Sequence, residues 1–261
     1  MKSKDYLKSI AQWEAECLWD IYGISKADDL CLEDIALARG VLVTEGPLQN
    51  MDARLIRNGN RGLIRIREDI PENGRKRFAI AHEMGHWELH KEVSQLFECT
   101  EKDLISKYKD SSEELQANCF AAALLMPTKI FTASMAGLPI SIDTLRKLSN
   151  IFSTSLTATA FRYVELSEDY CAIVNSEGGK VKWCRGSTSF ESCFRIPVGK
   201  TLSNTVAGEL SDTKLILNEE PEEIAISAWS EKNDSANESV FIEESFFISQ
   251  YNRVFTLLHL P

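Results

Sequence analysis

The sequence predicts an α+β chain in two parts, a mainly helical first part carrying a small β-sheet and then a β-rich tail, with the change of texture near residues 165–168. Three observations predict it. Apolar residues recur at helical spacing in several runs before residue 166. Two short runs between residues 54 and 67 flank a tight-turn signal, and beyond Tyr170 the apolar runs become short and strand-like. The division that follows is residues 1–167 and residues 168–261, the second read as a regulatory or substrate-docking module.

Taken in order, residues 4–22 have the pattern of an amphipathic helix, Leu32 to Ala38 that of a second short helix, and Gly40 to Thr44 that of a strand. Arg54 to Arg57 and Gly62 to Arg67 flank Asn58-Gly59, so they read as a hairpin, with Ile and Arg alternating on its second arm. Arg75 to Lys91 follows as a helix entered through Pro71-Glu-Asn-Gly74. Glu113 to Met126 is the next, with Ser111 or Ser112 as N-cap and Pro127 as its stop. Ile142 to Ile151 and Leu156 to Glu165 fit two more helices. In the tail, strands are expected at Tyr170 to Val174, Val181 to Cys184, Ile224 to Trp229, Val240 to Phe247 and Val254 to Leu260.

At 261 residues the chain can bury a full core. Its net charge of -10 argues against broad binding to a phosphate backbone, which needs clustered Lys and Arg, so no direct nucleic-acid binding is expected. No run is apolar enough for a membrane span, and the first residues lack the apolar core of a secretory signal. The seven cysteines are odd in number and form no C-x-x-C pair, as expected of reduced thiols in a cytoplasmic protein.

The chemistry concentrates at Ala81-His82-Glu83-Met84-Gly85-His86, which contains H-E-x-x-H. Positions i and i+4 of a helix lie about 40° apart around the axis, so both imidazoles can reach one metal ion, and the glutamate between them can take a proton from an activated water. A hydrolytic zinc uses three protein ligands and keeps one position open. His90 has drifted roughly 80° around the helix from His82 and lies about 12 Å along it, so it cannot join the same ion. Its removal should leave metal binding intact. Glu113 or Glu114 on the following helix is better placed, and the small residues Ala117 and Ala121 on the face of Glu114 would let the two helices pack closely. Ser111-x-x-Glu114 is also a capping-box spacing, so Glu114 could instead satisfy the helix start.

Two longer runs carry more than the motif alone: Gly74-Arg-Lys-Arg-Phe-Ala-Ile-Ala-His-Glu-Met-Gly-His-Trp-Glu-Leu-His90, and Glu114-Leu-Gln-Ala-Asn-Cys-Phe-Ala-Ala-Ala-Leu-Leu-Met-Pro127. Together they resemble the ImmA/IrrE family of zinc metallopeptidases. The resemblance implies a zincin-like domain over residues 1–167, one zinc ion (Zn2+) per chain held by His82, His86 and Glu114, and Glu83 as general base. It favours Glu114 over Glu113, because the family's ligand stands three positions before the alanine of the A-N pair. Gln116 is a departure, since many members carry an acidic residue there. The substrate implied is a helix-turn-helix transcriptional repressor, cut to relieve repression under stress or induction. A reading from a different class is a regulatory binding protein in which zinc only stabilises the fold; the intact Glu83 favours the enzyme, because a structural zinc needs no base.

Other features have simpler readings beside functional ones. Arg54, Arg57, Arg61, Arg65, Arg67, Arg75, Lys76 and Arg77 gather before the motif helix in an otherwise acidic chain. They could favour an acidic peptide partner, or merely cover apolar surface on a solvated sheet face. The helical pair at 142–165 mimics a helix-turn-helix but carries few basic residues. Cys119 reads as a small buried hydrophobe or as a redox sensor.

Overall fold

The computed structural model describes residues 3–90, 97–99, 112–214, 220–231 and 240–261. By contacts the chain forms two compact units, one of residues 1–136 and 148–158, the other of residues 137–147 and 159–261. The second unit thus takes in a helical segment that precedes the change of texture in the sequence.

In the first unit, α1 (Lys4–Ile21) is capped by Ser3, whose side chain accepts from the Tyr6 N–H. Its buried face presents Ala11, Ala15, Leu18 and Trp19. The Trp19 indole donates to the Leu124 carbonyl at 2.8 Å, which ties α1 to a later helix. A short α2 (Leu32–Ala38) leads into β1 (Val41–Gly46), followed by the hairpin β2 (Ala53–Asn58) and β3 (Arg61–Arg67). Asn58 pairs with Arg61, leaving a two-residue loop in which Gly59 takes φ +58°, a conformation that glycine adopts without strain.

β1 runs parallel to β3, β2 antiparallel to it, and β4 (Phe97–Cys99) extends the four-stranded sheet beyond β2. Val41, Ala53, Leu55, Ile64 and Ile66 are buried on one face, and Arg54, Arg65 and Ile56 alternate onto the other. The buried face receives α3 (Asn73–Leu89). Its start is pinned to the end of the sheet by buried Asp52, which accepts two bonds from Arg75 at 2.7 and 3.0 Å and meets Arg67 at 3.1 Å.

Against α3 packs α4 (Ser112–Leu125). Of the two caps the sequence offered, Ser111 lies outside the described residues and Ser112 is the first residue of the helix itself. Gly85 is what lets the two helices approach: a Cβ there would stand 3.0 Å from Ala117 Cα and 3.2 Å from Phe120 Cβ. Alanine would add about 1 kcal/mol of helix propensity, but overpacking costs roughly 1–3 kcal/mol, so the glycine is favoured. Beyond Pro127 the chain forms α5 (Thr128–Met135), which the sequence reading missed, then α6 (Ile142–Phe152) and α7 (Leu156–Leu166).

The second unit is built on a five-stranded antiparallel sheet in the order β6-β5-β9-β8-β7. Its strands are β5 (Cys171–Glu177), β6 (Lys180–Gly186), β7 (Glu222–Ala225), β8 (Val240–Ile248) and β9 (Arg253–His259). Two helices absent from the sequence reading, α8 (Thr188–Cys193) and α9 (Val206–Thr213), contribute Phe190, Val206, Ala207 and Leu210 to the core over one face. The strand expected at Ile224 to Trp229 divides into β7 and a helical turn at Ile226–Trp229. The turn places Ile226 and Trp229 in the core together, which an alternating strand would not.

The Trp229 indole then donates to buried Glu243 at 2.7 Å, beside donations to the same carboxylate from the Ala207 N–H at 2.7 Å and the Ser245 hydroxyl at 2.9 Å. Burial pushes the Glu243 carboxyl up, and these donors favour its anion. Among the described residues no helix is long and apolar enough to cross a membrane.

Candidate metal centre

One turn of α3 carries His82 and His86, both buried, with their Nε2 atoms 3.0 Å apart. Glu114, in the first turn of α4, faces them across the close helix contact at Gly85. Its Oε1 lies 3.2 Å from His86 Nε2 and its Oε2 lies 3.2 Å from His82 Nε2. The three residues each offer one ligand atom within 4.8 Å of the others, an arrangement that could hold a metal ion. The group contains Glu114 and not Glu113, since neighbours on a helix point about 100° apart.

The remaining ring nitrogens are oriented by other side chains. His82 Nδ1 is 2.9 Å from Asn118 Oδ1, which can only accept, so this nitrogen carries the proton and Nε2 keeps its lone pair. His86 Nδ1 is 3.1 Å from His90 Nδ1, and His90 Nε2 is 3.4 Å from Gln116 Oε1. A proton on His90 Nε2 leaves its Nδ1 to accept from His86, which again frees the Nε2 lone pair of His86. The donor set fits a metal for this reason: two imidazole lone pairs and a carboxylate converge, and Glu114 Oε2 is buried without hydrogen-bond geometry to any partner among the described residues.

Charge in the site follows burial. Burial lowers the His86 imidazole to about 4, against the pull of Glu114, and so keeps it neutral. For His82 burial acts in the same direction, but Glu114, Glu83 and Asn118 together raise it. Glu114 is the reverse case. Burial would raise its carboxyl, and the two histidines hold it well below the usual carboxylate range.

Glu83 is 0% exposed, and among the described residues neither carboxylate oxygen has a partner in good hydrogen-bond geometry, the Leu55 backbone offering only a loose one. Burial pushes it up to about 8; His82 pulls it down, Glu114 adds to the rise, and the Leu55 backbone favours the anion weakly. A cation between the three ligand atoms would draw it down again. The C-terminal end of α3 is held by β2: the Arg57 guanidinium stacks 3.8 Å from the Trp87 ring centroid and donates to the Trp87 carbonyl at 2.6 Å.

Sequence reasoning missed the roles of Asn118, His90 and Gln116, although the signal was present. Asn118 is four residues from Glu114 and His90 four from His86, so each shares a helix face with a candidate ligand. Contrary to the expectation from spacing, removing His90 should affect the metal. Asn118→Ala and His90→Ala should each weaken metal affinity roughly 10- to 100-fold. Competition with a chromogenic chelator measures this, and unchanged affinity in both variants would deny these residues a supporting role.

The family model of the IrrE N-terminal-like domain, a peptidase family, matches residues 36–163, a span that contains both α3 and α4. The match supports an ImmA/IrrE family assignment for this domain. His82, Glu83, His86 and Glu114 all fall inside the matched span. Among solved structures, a Mycobacterium tuberculosis transcriptional regulator has a similar fold, with a TM-score of 0.61 at 13% identity over 96% of this chain and 87% of that one. No curated protein matches the chain.

Proposed function

We propose that this member of the family is a zinc-dependent endopeptidase of the cytoplasm that cuts a helix-turn-helix repressor. The observation that carries the reading is the convergence of His82, His86 and Glu114 beside a buried Glu83 that has no well-formed hydrogen bond among the described residues. A mixed nitrogen and oxygen donor set of three protein residues, His82, His86 and Glu114, is the kind that would hold a hydrolytic zinc. When bound, the metal supplies Lewis acidity toward a water and toward the scissile carbonyl. Glu83 accepts the proton of the attacking water and passes it to the leaving amide nitrogen. Asn118 and the His90–Gln116 pair hold the two imidazoles in the tautomers that ligation needs.

Residues 168–261 are assigned a regulatory or substrate-docking role, because none of the four site residues lies in them. Family membership and the fold shared with a transcriptional regulator support a partner in gene control.

The reading predicts a defined cut. Purified chain loaded with zinc should cleave a candidate repressor at one or a few bonds, and a chelator should stop it. Intact-mass analysis of the reaction decides. An uncut repressor from the same genomic neighbourhood, under conditions where zinc is bound at one per chain, would favour the alternative of a zinc-stabilised binding protein.

A further inference from the structure

The outer face of the four-stranded sheet carries charge that the candidate metal centre does not use. β2 and β3 are in register so that Arg54 stands directly opposite Arg65 on the face away from α3. Like charges in this position weaken a strand pair. Neither arginine forms an ion pair among the described residues, and Arg54 Nε is buried without a hydrogen-bond partner.

The neighbouring basic groups are engaged. Arg67 meets Asp52 and Asp69, Arg75 meets Asp52, Lys76 meets Glu45, and Arg57 lies on Trp87. Beside Arg54 the backbone of β4 continues this level of the sheet. Two residues further along the strands, Leu42, Leu63 and Ile56 form a row across β1, β3 and β2. Leu42 is 54% exposed and Ile56 42%.

We propose that this face docks a short acidic segment of a partner protein, its carboxylates meeting Arg54 and Arg65 and its aliphatic side chains covering Leu42, Leu63 and Ile56. Charge complementarity selects this occupant: the surplus guanidiniums call for carboxylates, and among the described residues no carboxylate pairs with them. An aliphatic row has nothing to offer a phosphate backbone, and the overall charge repels a polyanion. The inference goes beyond cleavage and holds whether or not the bound segment is cut.

The test is direct binding to the full chain, read as fluorescence anisotropy of a labelled peptide of glutamates interspersed with leucines. A lysine-and-leucine counterpart and a labelled DNA duplex serve as competing probes. The glutamate peptide should bind saturably, more weakly in high salt. The pair Arg54→Glu with Arg65→Glu should weaken it about tenfold or more, as should Leu42→Ser with Ile56→Ser. Arg54→Gln with Arg65→Gln repeats the comparison without charge reversal, and thermal melts confirm that each variant is folded. Absence of binding to the unaltered chain, equal binding by all folded variants, or preference for the lysine peptide or the DNA would overturn the proposal.

Discussion

Replacing Glu83 with glutamine should leave metal and fold in place while cleavage of a cognate repressor falls by ~10²- to 10⁴-fold, the usual contribution of a positioned base. Glutamine keeps the size of the side chain but cannot accept the proton of a water. Because Glu83 is fully buried and its oxygens have no well-formed hydrogen bond among the described residues, removing its charge also removes a desolvation cost. The melting temperature should therefore stay level or rise. This separates the variant from a folding defect, in which activity and stability fall together. Rate, metal content and a thermal melt on the same preparation check all three expectations. Cleavage at the unaltered rate would remove Glu83 from the mechanism.

The second large effect is expected at Glu114. Glu114→Ala deletes one of three converging ligand groups and leaves the two Nε2 atoms, 3.0 Å apart, without the carboxylate that lies 3.2 Å from each. Its loss of metal affinity should exceed the roughly 10- to 100-fold expected of the supporting residues, so that dialysed protein retains little zinc. Glu113→Ala should keep about one ion per chain. Metal analysis after dialysis distinguishes the two residues. Retention in Glu114→Ala with loss in Glu113→Ala would reverse the assignment drawn from geometry.

The two variants together also separate enzyme from binding protein. A zinc that only stabilised the fold would make Glu114→Ala unfold but leave Glu83→Gln without consequence for any activity. A hydrolytic centre makes both variants inactive for different reasons, one without metal and the other without a base.

What could be read from the sequence was what depends on short spacing. His82 and His86 project together because a helix repeats every ~3.6 residues, and the hairpin followed from a turn signal between alternating runs. The helices at 32–38, 142–152 and 156–166 and most tail strands were likewise local patterns, as was the two-part α+β texture.

Tertiary structure decided what depends on distance through space. Spacing alone leaves Glu113 and Glu114 open and the resemblance favours Glu114; the docking of α4 on α3 at Gly85 is what brings Glu114 to the two histidines. The same contact brings Asn118 to His82, and the packing of α3 against the sheet buries Glu83. The helices α8 and α9 and the turn at Ile226–Trp229 escaped because their apolar residues make sense only against the sheet they cover. Spacing records which side chains share a face, whereas burial, tautomer and ligand choice depend on what the opposite face supplies.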